Sequence, residues 1–302
     1  MEADKVWMDG KMVDWDKAQV HICAHALHYG SGVFEGIRSY KTEKSSAVFR
    51  LKEHIDRLFN SAKILKMNIP YTKEQIRQAI KDTIKINKLK SCYIRPLIYR
   101  GFKELGINPF KCPVNCAIAV WEWGAYLGEE AIINGIKTKI SSYARNYINS
   151  TSQKAKICGN YVNSILANME AQEVGVDEAI LLDTRGYVTE GSGENIFWIR
   201  NGVIYTTPTA TVLEGITRDS IIKIALDMGY QVQEKYICRD ELYISDEVFF
   251  AGTVAEVTPI REIDNYQIGE GKRGPVTEKI QEKYFAIVKG KDQKYLDWLD
   301  FI

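Results

Sequence analysis

The chain has 302 residues, 45% of them hydrophobic and 26% charged, with 22 Gly and 7 Pro, a composition that excludes disordered, collagen-like and coiled-coil proteins. Lys plus Arg number 40 against 39 Asp plus Glu, and this formal net charge of +1, with no acidic tail or basic block, disfavours a nucleic-acid or anionic-membrane partner. Domains run to roughly 100–200 residues, so two are expected, and the longest unbroken apolar run, 116–121, is far short of the roughly 20 residues of a membrane span.

In chain order, the segment 1–7 is acidic and mixed, with no signal-peptide core, so a cytoplasmic location is expected. Residues 52–67 carry Ile55, Leu58, Phe59, Ala62 and Leu65 at helical spacing, and a second helix follows with Ile76, Ala79, Ile80, Thr83 and Ile84 on one face. Two strands are expected over 92–99 and 114–121. Pro96 marks the first as an edge or a bulge, and its Tyr93 and Arg95 share a face that needs a polar cavity or water. The stretch 121–133 has neither helix nor strand period and reads as a loop. The expected organisation is therefore mixed α and β: a smaller α/β domain over 1–122, an interdomain loop over 123–133 and a larger domain over 134–302.

The second half opens with a strand over 136–142 and a loop rich in Asn, Ser and Thr over 143–153. A helix over about 160–172 places Val162, Ile165, Leu166 and Met169 on one face, the expected core side. Strands follow at 179–182 and 195–200, and Asn201-Gly202 predicts a hairpin into Val203. A helix over about 217–228 has Thr217 as its N-cap candidate and Gly229 as its stop, and a last strand over 247–253 ends at Gly252-Thr253. The six cysteines, at 23, 92, 112, 116, 158 and 238, are too sparse for a disulfide scaffold and read as reduced thiols.

Several segments carry chemical possibilities, each with a plainer reading. His21, Cys23, His25 and His28 suggest a metal cluster, but no carboxylate at ligand spacing joins them and the neighbours are apolar. Gly30, Gly32 and Gly36 are one residue longer than a dinucleotide fingerprint, with an acid, Glu35, inside the run. The Gly215-Ile216-Thr217 entry to a helix is either an anion site or a simple cap. Glu190 and Glu194 sit among glycines, where a carboxylate often only caps the backbone. Lys154 and Lys156 precede a helix, and spacing alone does not choose between them.

Taken together, the segments resemble the branched-chain amino-acid aminotransferases of the fold-type IV pyridoxal-phosphate class, also called D-amino-acid-aminotransferase-like. The marks are His25-Ala26-Leu27-His28-Tyr29-Gly30, Phe34-Glu35-Gly36-Ile37-Arg38, Tyr93-Ile94-Arg95-Pro96-Leu97 and Trp123-Gly124-Ala125-Tyr126-Leu127-Gly128. The second half adds Ala155-Lys156, Gly159-Asn160-Tyr161, Glu190-Gly191-Ser192-Gly193-Glu194-Asn195, Gly215-Ile216-Thr217-Arg218 and Gly252-Thr253. They occur in order over almost the whole chain, from about Trp7 to Trp298. Glu214 and Cys158 depart from the pattern at positions without a chemical role.

The resemblance implies pyridoxal 5'-phosphate as cofactor, held mainly by the C-terminal domain, with no metal. It makes Lys156 the catalytic, Schiff-base lysine. Glu190 would face the pyridine nitrogen, Tyr161 the ring hydroxyl and Leu213 the ring. Arg57, Ile216, Thr217 and Thr253 would hold the phosphate. Phe34, Gly36, Arg38, Tyr93, Arg95, Trp123, Tyr126 and Val254 would line the substrate pocket, completed by Tyr29, Leu105 and Ile107 of a partner subunit. The implied reaction transfers the amino group of leucine, isoleucine or valine to 2-oxoglutarate, yielding 2-oxo acids and glutamate. A homodimer is the implied minimal unit, alone or within an oligomer of dimers. The rivals inside the class are a D-amino-acid aminotransferase, an aminodeoxychorismate lyase and an amine transaminase; outside it stands a metal-binding protein using His21, His25 and His28.

Overall fold

The computed structural model describes residues 3–124 and 128–302. By internal contact the chain divides into two units, the first drawing on Met1–Trp123, Ala155–Asn160 and Ile287–Ile302, the second on Gly124–Lys154 and Tyr161–Ala286. Position in the sequence suggests a single cut; contact returns two later segments to the first unit.

The first unit is built on strands β1 (Lys5–Met8), β2 (Lys11–Asp14), β3 (Gly32–Phe34), β4 (Ile37–Lys41), β5 (Ser46–Phe49), β6 (Cys92–Arg100) and β7 (Val114–Trp121). Its helices are α1 (His25–Tyr29), α2 (Leu51–Ile64) and α3 (Lys73–Ile86). α2 buries Leu51, Ile55, Leu58 and Ala62, one stripe at helical spacing, and stops before Lys66, whose φ is +51°. α3 starts on a capping box between Thr72 and Gln75 and buries all five of the residues expected. Both stripes pack on Cys92, Ile94 and Ile98 of β6 and Cys116, Ile118 and Val120 of β7. Losing a fully buried side chain such as Ile80, for instance to Ala, would cost about 2–5 kcal/mol.

Pro96 does not mark an edge. β6 is an inner strand, paired along its whole length with β7 on one side and with β4 and then β3 on the other. The proline sits where the second flank changes partner: Ile94 pairs with Ile37, Leu97 pairs with Phe34, and Glu35 and Gly36 bridge the gap. Its carbonyl accepts from Glu35 N at 2.9 Å, so the missing N–H falls where no ladder partner stands.

The second unit holds β8 (Ile136–Ile140), β9 (Glu178–Leu182), β10 (Val188–Gly191), β11 (Asn195–Arg200), β12 (Val203–Thr206), β13 (Val232–Glu234), β14 (Glu247–Gly252), β15 (Glu256–Ile263) and β16 (Tyr266–Gln267). The order β10-β9-β8-β15-β14-β11 closes on itself because β10 also pairs with β11, through Glu190 opposite Asn195. Trp198, Phe250, Ile180, Ile196 and Ile260 fill the core of this closed circuit. The expected hairpin is present, with Asn201 and Gly202 at φ +50° and +76° between β11 and β12.

Three local expectations are corrected here. The stretch read as a loop contains helix α4 (Glu129–Asn134). In α5 (Tyr161–Glu173) the apolar residues Val162, Ile165, Leu166 and Met169 face outward, while Ser164, Ala167 and Ala171 face inward. Small side chains let the helix lie close on Ala179 and Leu181 of β9, and that close approach outweighs the larger apolar stripe. In α6 (Ile216–Asp227) the N-cap is Gly215, so Thr217 lies one residue inside the helix. α7 (Arg239–Tyr243) and α8 (Pro275–Val288) follow, and β17 (Leu299–Phe301) then pairs with β5, completing an eight-stranded sheet in the first unit among the described residues. No helix among the described residues is long and apolar enough to cross a membrane, and all six cysteines are free.

Candidate active site

The predicted residues fall into two groups, one in each unit. In the first, the short segment around Lys156 is stitched to the sheet and to α2. Lys156 N donates to the buried Ser61 Oγ of α2 at 3.0 Å. Its carbonyl accepts from Phe34 N at 3.0 Å, and Val33 bridges to Ile157. One residue pair makes this docking possible: a Cβ on Gly30, at φ +64°, would lie 2.6 Å from the Gly159 Cα. Lys156 is thereby held through both its own N–H and its carbonyl, with Nζ 5.0 Å from the Phe34 ring centre. Lys154 is occupied elsewhere, its Nζ bound to the Thr209 carbonyl and to Glu214 Oε1, 2.8 Å away.

The expected substrate residues of this unit form a connected set. The Phe34 ring contacts Arg95 as well as Lys156, the Arg95 guanidinium carbon lying 4.6 Å from the ring centre. Arg95 Nη2 donates to the Tyr93 hydroxyl at 2.9 Å, and Arg95 Nε is buried without a hydrogen-bond partner. Here is the polar environment that a Tyr-x-Arg strand face demands. Gly36 makes room for that hydroxyl, since a Cβ there would stand 2.2 Å from Tyr93 Oη. Tyr93 meets Trp123 edge-on at 4.8 Å, and Arg38 Nη2 donates to the Trp123 carbonyl at 3.0 Å. Tyr126 lies outside the described residues.

Arg57 lies on α2 with two supports, Glu35 and His54, to which the sequence assigns no role. Its Nε and Nη2 grip Glu35 at 2.7 and 2.9 Å, and His54 Nδ1 approaches the same carboxylate at 2.7 Å. Burial would raise the Glu35 carboxyl, but the Arg57 charge and the hydrogen bonds from Arg57 and His54 hold it down at about 2. His54 is pushed below the ordinary imidazole range by burial, against the pull of Glu35. The signal available was the i, i+3 spacing of His54 and Arg57 on one helix face.

Tyr29 and Leu105 are half-exposed and Ile107 is 90% exposed. The histidines are engaged locally. His25 is buried, its Nδ1 paired with Ser31 Oγ at 2.6 Å and its Nε2 with the Gly106 carbonyl at 2.8 Å, which fixes the loop carrying Leu105 and Ile107. His28 Nε2 meets the Ile22 carbonyl and His21 Nδ1 accepts from Cys23 N. Among the described residues no group of three His, Cys, Asp or Glu has the arrangement of a metal site.

In the second unit Glu190 is buried at the closing register of the strand circuit. Arg145 Nε lies 2.8 Å from its Oε1, while Asn195 Nδ2 and Leu213 N each approach Oε2 at 3.3 Å. Arg145 is itself anchored to α5 by Ser164 Oγ at 3.1 Å. Glu194, the other carboxylate of the motif, turns back on Gly193 N at 3.1 Å, the capping role that Glu190 does not have. Asn195 Nδ2 also donates to the Leu213 carbonyl at 3.1 Å, so the segment entering α6 hangs from the Glu190–Asn195 pair. α6 begins without a side-chain cap, leaving the first N–H groups, including those of Ile216 and Thr217, outside any side-chain cap at the positive end of the helix. Tyr161 opens α5, and Thr253 and Val254 form the turn between β14 and β15. Arg145 was invisible in sequence: one arginine in a polar loop has no period to reveal it.

Residues 32–263 match the family model described as amino-transferase class IV. A branched-chain-amino-acid aminotransferase of Pseudomonas aeruginosa is 50% identical over 293 residues, covering 97% of this chain and 95% of that protein. The crystal structure of the T.th. branched-chain amino acid aminotransferase with pyridoxamine 5'-phosphate superposes with a TM-score of 0.97 at 52% identity, covering 100% of this chain and 99% of that one. The same enzyme complexed with N-(5'-phosphopyridoxyl)-L-glutamate gives 0.96 at 50% identity, with the same coverage.

Proposed function

The chain belongs to the class IV aminotransferases, within them to the branched-chain-amino-acid aminotransferases, and from that premise we propose that it transfers an amino group reversibly between L-leucine, L-isoleucine or L-valine and 2-oxoglutarate by a ping-pong mechanism. The cofactor is pyridoxal 5'-phosphate. The residues present fit it. In the second unit a dianionic phosphate would be matched by the uncapped α6 N-terminus, through the N–H groups of Ile216 and Thr217, and by Thr253; Arg57 is assigned to the same phosphate by the family resemblance. A ring nitrogen is matched by Glu190. Bound there, the cofactor supplies an electron sink for charge developing at the substrate α-carbon.

The chain's own residues do the rest. The Lys156 amine holds the cofactor and moves a proton at its Nζ to and from the α-carbon. Glu190, fixed by Arg145 and Asn195, keeps a proton on the ring nitrogen through its carboxylate. Tyr161 would meet the ring hydroxyl and Leu213 would lie against the ring. Phe34, Gly36, Tyr93 and Trp123 would line the substrate side chain, and the resemblance assigns Tyr126 and Val254 to the same role. Arg95 receives the distal carboxylate of glutamate, and Arg38 fixes the wall by holding Trp123. The exposure of Tyr29, Leu105 and Ile107 in a single chain supports their serving a partner subunit, in a homodimer or an oligomer of dimers. A cytoplasmic location belongs to the same reading.

The observation that carries the proposal is the Glu190–Asn195–Leu213 linkage, which ties a buried carboxylate held by a cation to the approach of an uncapped helix N-terminus. The test is a visible-region spectrum of the purified protein with pyridoxal phosphate, followed by a panel of L- and D-amino donors with 2-oxoglutarate. Glutamate formation from the L-branched donors is expected. Turnover of D-donors alone would move the assignment to a D-amino-acid aminotransferase, and a protein that takes up no cofactor would overturn it.

A further inference from the structure

Glu35 lies in the break between β3 and β4, its backbone fixed to Pro96 and its side chain fully buried. Two residues one turn apart on α2 hold that side chain, Arg57 side-on through Nε and Nη2, and His54 through Nδ1. Because the carboxylate is held far below neutral pH it accepts only, so Nδ1 of His54 carries the hydrogen. A buried ion pair of this kind is a weak source of stability, since well-packed apolar residues would serve as well. What it fixes is direction. The side-on grip uses one edge of a planar fork of five donors and turns the other edge, Nη1 with the outer hydrogen of Nη2, away from Glu35.

We infer that Glu35, backed by His54, is a positioning residue for cofactor binding: it holds the Arg57 guanidinium plane so that its end-on edge meets a phosphate ester. The inference rests on the reading that Arg57 meets the cofactor phosphate. Position and charge predict opposite signs. Removing a negative charge beside Arg57 would by Coulomb attraction alone tighten phosphate binding, whereas releasing the guanidinium adds the cost of ordering it again, about three- to tenfold in affinity.

The experiment titrates the full-length protein, dialysed free of cofactor, with pyridoxal phosphate and with pyridoxal, which lacks the phosphate. Glu35→Gln is expected to weaken pyridoxal phosphate about three- to tenfold, leave pyridoxal unchanged, and have no further effect in an Arg57→Met background. Unchanged or tighter pyridoxal phosphate binding in Glu35→Gln would overturn the inference, as would equal losses for both ligands, which mark a merely structural role. If Glu35→Gln does not fold, Glu35→Asp carries the same test: it keeps the charge but withdraws the carboxylate by one carbon, so positioning predicts a selective loss and a charge role predicts none. If Arg57→Met leaves the preference for the phosphorylated ligand at the wild-type value, the Arg57 reading itself fails, and the inference with it.

Discussion

Gly215→Ala tests the linkage between Glu190 and the α6 N-terminus. The backbone does not require glycine, because φ is −68° and ψ is 131°, which any residue adopts. Space does: an added Cβ would lie 2.0 Å from Asn195 Oδ1. Asn195 is buried, and its amide nitrogen binds the Leu213 carbonyl and Glu190. If Asn195 swings away, one neutral hydrogen bond and one to a charged group are lost, together about 2–4 kcal/mol. Alanine is also a poorer N-cap than glycine, by about 0.5–1 kcal/mol. Urea unfolding of wild type, Gly215→Ala, Asn195→Ala and the double variant separates the two. In the Asn195→Ala background the glycine substitution should cost only the cap difference, with the remainder appearing as coupling. Equal costs in both backgrounds would refute the steric argument. The pyridoxal phosphate affinity of Gly215→Ala should fall as well, since either response, a released Asn195 or a displaced helix end, disturbs the phosphate seat.

Lys156→Ala should abolish transamination, while Lys154→Ala, which breaks a half-exposed pair worth about 0–1 kcal/mol, should keep turnover within a few-fold, both read as coupled glutamate formation. Arg95→Ala should lower kcat/KM for glutamate by about ten- to a hundredfold and for leucine far less, measured as separate half-reactions; equal losses would assign Arg95 to the α-carboxylate that the donors share. Stability should fall with acid in two stages. His54 has a depressed folded pKa, so its contribution is complete above about 6.5 and declines as pH drops below that value. Glu35, also depressed, contributes fully above its ordinary 4.5 and loses that contribution as pH falls toward about 2. Urea midpoints should decline from pH 7 to 5 in wild type and flatten in His54→Gln; a flat wild-type profile would contradict the buried neutral imidazole.

What was legible in the sequence was whatever has a period or a turn chemistry. α2 and α3 announce themselves because one face must be apolar, and the Asn201-Gly202 hairpin because only certain residues accept positive φ. α5 misled because size and hydrophobicity do not say which face is inward: Ser164, Ala167 and Ala171 win by fitting closely under the helix. Pro96 misled because a strand can lack one donor wherever its neighbour is interrupted, which only the pairing reveals. The roles assigned to the site residues came from the ordered motifs rather than from spacing. Of their supports, His54 has only its i, i+3 spacing to Arg57 as a signal, while Glu35, Ser61 and Arg145 are single residues far in the chain from the groups they hold, and no period marks them for that role.

The pairing of β17 with β5 has a consequence for synthesis on the ribosome. Leu299 lies opposite Phe49 and Phe301 opposite Ala47, and Asp300 is bound by Arg77 and Lys81 of α3. At about 5–20 residues per second, roughly 12–50 s separate the emergence of the two strands. Throughout that interval β5 has one open edge, with the apolar Ala47, Val48 and Phe49 beside it. The nascent first unit therefore carries an unpaired sheet edge until the last strand arrives, and a ribosome stalled anywhere in the second unit leaves a sheet able to recruit a strand from a neighbouring chain.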